Sequence, residues 1–184
     1  MSMLDHARRM ARYNSWMNRK VYDAAKSLAP AELAADRGAF FGSVLGTLNH
    51  LIVGDTFWMR ALSGHSKGEG LARTADRMPL ARSLNHILFR DMAELEAHRH
   101  ILDAGWQDFV DQLTEADMNE MVAYPSGRYG ALDCDAFALL CHVFNHQTHH
   151  RGQVSTLLTQ AGLDIGSTDL LVQILNDAAN RADG

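Results

Sequence analysis

The chain has little cysteine, little proline and no long apolar run, and each shortage excludes a class of protein. Two cysteines in 184 residues, Cys134 and Cys141, cannot form a disulfide framework, so we expect free thiols in a reducing cytoplasm. No apolar run approaches the roughly 20 residues of a membrane span, and we expect no membrane association. Only three prolines interrupt the chain, which leaves room for long helices.

Positive charge is also in short supply. The chain carries 17 Lys and Arg against 22 Asp and Glu, a formal net charge of −5, and no basic stripe is visible. Nucleic-acid-binding proteins usually show a basic patch or stripe, so we expect no nucleic-acid partner. The length, with no repeat or linker, fits a single domain over residues 1–184 with a substantial core.

Apolar residues recur at helical spacing through most of the chain, and strand patterns are few. We therefore predict an all-α protein, a four-helix bundle with a short hairpin-like loop before the last long helix. The loop is predicted at residues 121–130, where Pro-Ser-Gly separates two short alternating runs. The long helices are predicted at residues 3–28, 43–63, from 79 to about 102 or beyond with an interruption at Gly105, and 134–161 with Asp133 as its cap, followed by a short helix after residue 169.

Four histidines crowd into nine residues of the last long helix, in the segment CHVFNHQTHHRGQ. On a helical wheel the arc of about 100° that they share also contains Gln153 and several apolar residues. A solvated face would carry Lys, Glu and Arg instead, and unpaired imidazoles on a buried face would be costly. A divalent cation bound by the i,i+4 pair His146 and His150 explains the pattern better than a solvated cluster without a ligand. The other two histidines of the segment are His142 and His149.

A third ligand is expected from the second predicted helix, which is apolar on almost every side and therefore typical of a buried helix. His50 lies on the side of that helix that carries Gly46 and Gly54, where the missing side chains let another helix come close. Alone, His50 would be interpreted as a hydrogen-bonded core residue. Beside a helix with two histidines it becomes a candidate ligand, because bundle cores build metal sites from facing helices.

Polar residues of the second helix raise two further expectations. Asn49, Thr56 and Arg60 form the only strip that we expect to face solvent. Asp55 lies in the middle of the opposite apolar face, where it is either the partner of a buried base or an acceptor that orients a ligand histidine. We favour a structural hydrogen bond from Asp55 to the first helix.

Three neutral imidazoles would leave coordination positions open, as catalytic zinc sites do, whereas structural sites are usually closed by four protein ligands. All-nitrogen ligation suits zinc, nickel, copper or iron and argues against magnesium and calcium. A carboxylate-bridged di-iron site is not expected, because the last long helix has no Glu-x-x-His motif.

These motifs resemble the DinB/YfiT-like family, the damage-inducible DinB family. The resemblance rests on LNHLIVGDTFW, NHQTHHRGQV, the late GLDIGSTDLLVQIL and the early YNSWMN, and it covers nearly the whole chain. It implies a four-helix bundle, often dimeric, with a divalent metal held by three histidines. By motif, the ligands are His50 of LNH and His146 and His150 of NHQTHHRGQ. His149 lies beside the second ligand, and His142 lines the pocket one turn earlier.

The resemblance implies two kinds of activity, a thiol-dependent S-transferase or a metal-dependent hydrolase. In either one an open metal lowers the pKa of a bound thiol or water, or polarises a substrate oxygen. The expected partners are a small-molecule thiol, an electrophilic substrate and a second copy of the chain. The alternatives are a non-catalytic metal-binding stress-response protein, in which the cation staples two helices, and a dimeric interaction module. Candidate residues around the pocket are Tyr124, Arg128, Tyr129 and Gln153.

Overall fold

The structure is a computed structural model that describes residues 1–126 and 130–182, without the side chains of residues 124–126, 130–132 and 180–182. Most of the described chain is helical, and its strands form one antiparallel pair. The elements are α1 (Met3–Ala25), α2 (Pro30–Ala34), α3 (Val44–Leu62), α4 (Glu69–Ala75), α5 (Met92–Gln112), a 3-10 turn (Asp117–Asn119), β1 (Met121–Ser126), β2 (Gly130–Asp135), α6 (Ala136–Gln160) and α7 (Leu170–Ala182).

Four long helices, α1, α3, α5 and α6, form the predicted bundle. Helix α1 packs against α5 and α6, and α3 packs against the same two helices from the opposite side. The short helix α4 lies against α3 and α5. The core between the helices is built largely of leucine, valine and methionine, with Trp106 at 0 % exposure. None of the helices in the described ranges is long and apolar enough to cross a membrane.

Side-chain caps set where the long helices begin. The hydroxyl of Ser43 accepts the backbone N–H of Gly46 at 3.0 Å and begins α3 where it was predicted. Asp135 accepts the N–H of Ala138 at 2.8 Å and begins α6 at residue 136. The predicted cap Asp133 was wrong, because it lies in β2 opposite Ala123.

The hairpin before α6 is confirmed, and it extends further than predicted. Strands β1 and β2 pair in a register that runs from Met121 opposite Asp135 to Ser126 opposite Gly130. The alternating pattern continues through the second strand, so the helical period begins later than residue 134.

The predicted helix start at Pro79 was wrong, and the residues from 79 to 91 are irregular. We call residues 79–89 the strap, because they run along α3 and are fastened to it by Asn49. The amide oxygen of Asn49 accepts the backbone N–H groups of Leu88 and Phe89 at 2.8 and 2.9 Å, and its nitrogen donates to the Phe89 carbonyl at 2.9 Å. These bonds satisfy backbone groups that a helix would otherwise use, and α5 begins only after its cap Asp91.

Two other expectations were wrong for reasons of packing. Asn49 and Thr56 are 0 % and 4 % exposed and do not face solvent, because the strap covers Asn49 and both side chains bond to backbone carbonyls. Helix α5 also continues through Gly105 without interruption. A Cβ at that glycine would lie 2.8 Å from the Thr74 side chain, so the glycine permits the close approach of α4.

Candidate metal centre

Three histidines from two helices meet inside the bundle. Their ligand-type nitrogens all lie within 4.8 Å of one another. The Nε2 atoms of His50 and His146 are 3.1 Å apart, and the ring of His150 lies 4.5 Å from that of His50 and 4.4 Å from that of His146. His50 and His150 are buried, and His146 is half-buried. In the described residues this is the only group of histidine, cysteine and carboxylate side chains with such an arrangement.

Backbone geometry explains why these side chains converge. His146 and His150 are one turn apart and project from the same face of α6. Opposite them, α3 presents Gly54 one turn after His50. A Cβ at Gly54 would lie only 3.0 Å from Cε1 of His146, so the glycine makes room for the imidazole. The close approach that the sequence suggested for this face is therefore present at Gly54, whereas a Cβ at Gly46 would meet the backbone of Phe41.

The ring of His50 is held in place by one hydrogen bond and one stacking contact. Its Nδ1 donates to the carbonyl oxygen of Leu84 in the strap at 2.9 Å, because a carbonyl can only accept. Phe41 stacks on the imidazole with ring centroids 3.8 Å apart and planes 16° from parallel. With the proton on Nδ1, the neutral ring directs the lone pair of Nε2 towards His146.

His150 is oriented in the same way by its own helix. Its Nδ1 donates to the amide oxygen of Gln153 at 2.8 Å, which leaves Nε2 as the lone-pair nitrogen. The amide nitrogen of Gln153 donates in turn to Nε2 of His149 at 3.3 Å. Gln153 thus supports a candidate ligand, while the exposed His149 lies outside the three-histidine group.

His142 lies at the edge of the centre. It is exposed, its ring is 6.0 Å from that of His146, and it packs against Trp58 at 4.5 Å. His142 therefore borders the centre without joining the group of convergent nitrogens.

The three imidazoles are uncharged at neutral pH. Burial lowers the pKa of His50 and His150, and it lowers the pKa of His146 to about 4, with the nearby imidazoles of His150 and His50 acting in the same direction. No described residue hydrogen-bonds the buried Nδ1 of His146, whose ring is located instead by packing over Gly54. Neutral imidazole is the form that binds a metal ion.

The donor set fits a divalent transition metal. Two of the nitrogens carry lone pairs because their rings donate through Nδ1, and the third ring is uncharged. The 3.1 Å between the Nε2 atoms of His50 and His146 is close to the roughly 3.3 Å expected between two nitrogens that share a tetrahedral ion at about 2.0–2.1 Å. Three nitrogens without an oxygen ligand match zinc, nickel, copper or iron better than magnesium or calcium.

Asp55 lies five residues beyond His50 on α3 and is the partner of a buried base. Its Oδ2 accepts from Arg99 Nη2 at 2.5 Å and from Trp106 Nε1 at 3.1 Å, and its Oδ1 accepts from Gln147 Nε2 at 2.5 Å. The predicted bond to the first helix was wrong, because these three donors belong to α5 and α6. Asp55 also does not hydrogen-bond any of the three histidines. It instead accepts a hydrogen bond from Gln147, the residue that follows His146.

The network around Asp55 continues to α1. Arg151 donates to the amide oxygens of Gln147, Asn14 and Asn18, and burial lowers its pKa to about 10. Both asparagines donate to Asp103, which lies 3.0 Å from Arg99. All four long helices thus contribute to one buried polar network, which fixes the rotation of α6 relative to α3.

The structure does not describe every residue that was predicted around the pocket. Arg128 and Tyr129 fall outside the described residues, as does the side chain of Tyr124. Sequence reasoning missed Phe41 and Leu84, which hold His50 from two irregular segments. No sequence pattern could have indicated Leu84, because Leu84 contributes its backbone carbonyl, a group that every residue type carries.

An added methyl group at Gly54 should disturb the centre without breaking the helix. In a Gly54→Ala variant the imidazole of His146 must move by a few tenths of an ångström, and we expect zinc affinity to fall on the order of tenfold. Gly152→Ala is the matched control, because a Cβ there meets nothing within 4 Å. It should keep full affinity and gain about 0.5–1 kcal/mol of stability. Zinc titration of both variants checks the prediction, and equal affinities would contradict it.

The fold and the site together define the class of this protein. It is a helical bundle with a candidate metal centre, which is formed by three convergent histidines on two facing helices. The chain belongs to the DinB family, whose sequence model matches residues 3–179. It is 26 % identical over 167 residues to Protein DinB of Bacillus subtilis strain 168, covering 91 % of this chain and 92 % of that protein. The fold is similar to the crystal structure of a DinB-like protein from Bacillus cereus ATCC 10987, with a TM-score of 0.55 and 18 % identity over 82 % of this chain and 89 % of that one.

Proposed function

We propose that this protein is a metal-dependent enzyme, a thiol-dependent S-transferase or a hydrolase, that binds zinc, nickel or iron through Nε2 of His50, His146 and His150. The observation that carries the proposal is the convergence of three neutral imidazoles within 4.8 Å, with no fourth ligand-type side chain in the group among described residues. Catalytic sites typically have three protein ligands and an open position, whereas a cation that only staples helices usually has four.

The ion, when bound, supplies Lewis acidity that lowers the pKa of a thiol or water and polarises a substrate oxygen. The residues of the chain provide a rigid set of donors for it. Leu84 and Gln153 hold the Nδ1 protons of His50 and His150, so neither ring has to change tautomer when a ligand arrives. Phe41 covers one face of His50 and keeps water from that side of the ring.

The centre also has an accessible side, as an enzyme requires. His146 is only half-buried, and its neighbours His142 and His149 are exposed. One of the three candidate ligands is therefore within reach of solvent, while the other two are buried. A small thiol and an electrophile can approach from the side of His146, which favours a reactive centre over a structural staple.

Activity is tested with metal-loaded protein. One set of reactions combines an aryl halide with cysteine, glutathione or 2-mercaptoethanol, and a second set offers p-nitrophenyl esters without thiol. We expect turnover in one of the two sets, abolished by a chelator and by His146→Ala and retained by His149→Ala. Protein that contains one ion per chain and turns over neither class of substrate would contradict the enzymatic proposal and leave metal binding intact.

A further inference from the structure

A cavity of about 250 Å³ lies between α3 and the strap, beside the candidate metal centre. Its walls are apolar where Val53, Phe57, Leu84 and Leu88 meet. Its volume is slightly below the roughly 300 Å³ at which small-molecule pockets usually begin, so the cavity suits a small ligand.

The cavity and the centre share one face of α3 and one residue of the strap. His50, Val53, Phe57 and Arg60 are spaced by three, four and three residues, which places them along a single helical stripe. Leu84 contributes its side chain to the cavity and its carbonyl oxygen to the Nδ1–H of His50. None of the three histidines lines the cavity, but its wall at Val53 is one helical turn from His50 on the same helix.

The charged residues that line the cavity are all positive. Arg60 and Arg82 are its only charged residues, and no Asp or Glu lines it, although the chain as a whole has a net charge of −5. One N–H of the Arg60 guanidinium donates to the carbonyl oxygen of Ala75 at 3.2 Å. Arg82 hydrogen-bonds through its backbone N–H, which donates to Nδ1 of His86 at 3.2 Å, and its guanidinium pairs with no residue that the structure describes. Two guanidiniums beside an apolar wall match a ligand with an anionic head and an apolar body.

The large apolar side chains at the cavity are unusually accessible. Leu84 is 61 % exposed and Phe57 is 40 % exposed, whereas Val53 at the inner end is buried. An apolar ligand body would cover Leu84 and Phe57 and gain from their burial. The charged head would remain near the arginines at the rim, where water can still reach it.

We propose that this cavity binds a small organic anion with an apolar body, such as a medium-chain carboxylate, and presents it to the metal centre. As a binding site the cavity does not depend on the proposed function, whereas its role as a substrate site rests on it. The strap is the element that joins the two, because Asn49 fastens it to α3 and Leu84 contacts both ligand and His50.

Binding is tested by calorimetry with octanoate on chelator-treated protein, so that a metal–carboxylate contact cannot contribute. Octan-1-ol and octylamine serve as the uncharged and cationic matched ligands. We expect octanoate to bind at least about tenfold more tightly than either. Equal affinity for octanoate and octan-1-ol would overturn the anion site, and so would the absence of octanoate binding.

Substitutions locate the site. Arg60→Gln with Arg82→Gln should weaken octanoate binding at least about tenfold, and Arg82→Gln alone, whose side chain supports no described contact, should weaken it about threefold. The control pair Arg73→Gln and Arg77→Gln removes two cations from a separate cavity between α4 and α5 and should change nothing. Unchanged binding in the Arg82→Gln variant, or equal weakening in the control pair, would overturn the assignment. Metal content measured on the same variants should stay at the parent level, which separates this outcome from a failure of the proposed function.

Discussion

Replacing His146 with alanine is expected to leave the purified protein without metal. The ring of His146 forms a triangle with those of the other two candidate ligands, with its Nε2 3.1 Å from that of His50 and its centroid 4.4 Å from that of His150. Its loss leaves two nitrogens from different helices. We expect metal affinity to fall by more than the roughly 10–100-fold that the loss of an outer supporting partner costs. Elemental analysis after dialysis is the measurement, and circular dichroism establishes that the bundle is still folded.

The matched control is His149→Ala, which removes a neighbouring imidazole of the same helix. His149 is exposed and lies outside the group of convergent nitrogens, which it contacts through Gln153 and through its ring, 4.8 Å from that of His150, so most of the metal should remain. Full metal content in His146→Ala would eliminate the ligand assignment. Complete loss in His149→Ala would show that the wrong neighbour was assigned to the centre.

The histidine group was predictable because its geometry is local. Residues four apart on a helix share a face whatever surrounds the helix, so the spacing of His146 and His150 was sufficient to place them together. His50 needed one more signal, the glycines beside it. Gly54 proved to be the position where the imidazole of His146 passes close to α3.

The surroundings of His50 were not predictable in the same way. Leu84 acts through its carbonyl, and Phe41 lies in a segment without helical period. Pro79 resembled a helix start because proline is tolerated in a first helical turn. The competing influence was Asn49 on a different helix, which binds the backbone of the strap and holds it out of helical form. The sequence of the strap contains no pattern that indicates its hydrogen bonds with Asn49.

Asp55 illustrates a third limit. A carboxylate on an apolar face signals a buried partner, and that part of the expectation was right. Which helix supplies the partner depends on the order of helices around the bundle, and hydrophobic periodicity does not encode that order. The partners proved to be Arg99 and Trp106 of α5 and Gln147 of α6.

Replacing Asp55 with alanine is expected to cost about 3 kcal/mol of unfolding free energy, at the lower end of the range for breaking a buried ion pair. The carboxylate is 0 % exposed and accepts from three donors, all of which would lose a buried partner. Arg99 would keep Asp103 at 3.0 Å, and this remaining pair limits the loss. For a chain of this length the melting temperature should fall on the order of 10 °C. Denaturant unfolding with a chelator present gives the free energy without a contribution from bound metal.

Asp111→Ala provides the comparison, because Asp111 also pairs with an arginine but on the surface. Its side chain is 67 % exposed and lies 3.6 Å from Arg8. Water solvates the remaining Arg8 after the substitution, so the free energy of unfolding should change by no more than about 0.5 kcal/mol. If Asp55→Ala costs no more than Asp111→Ala, the donors around Asp55 must find other acceptors. The buried network would then not be what fixes α6 against α3, and the alignment of His146 with His50 would have to come from the apolar packing of the two helices alone.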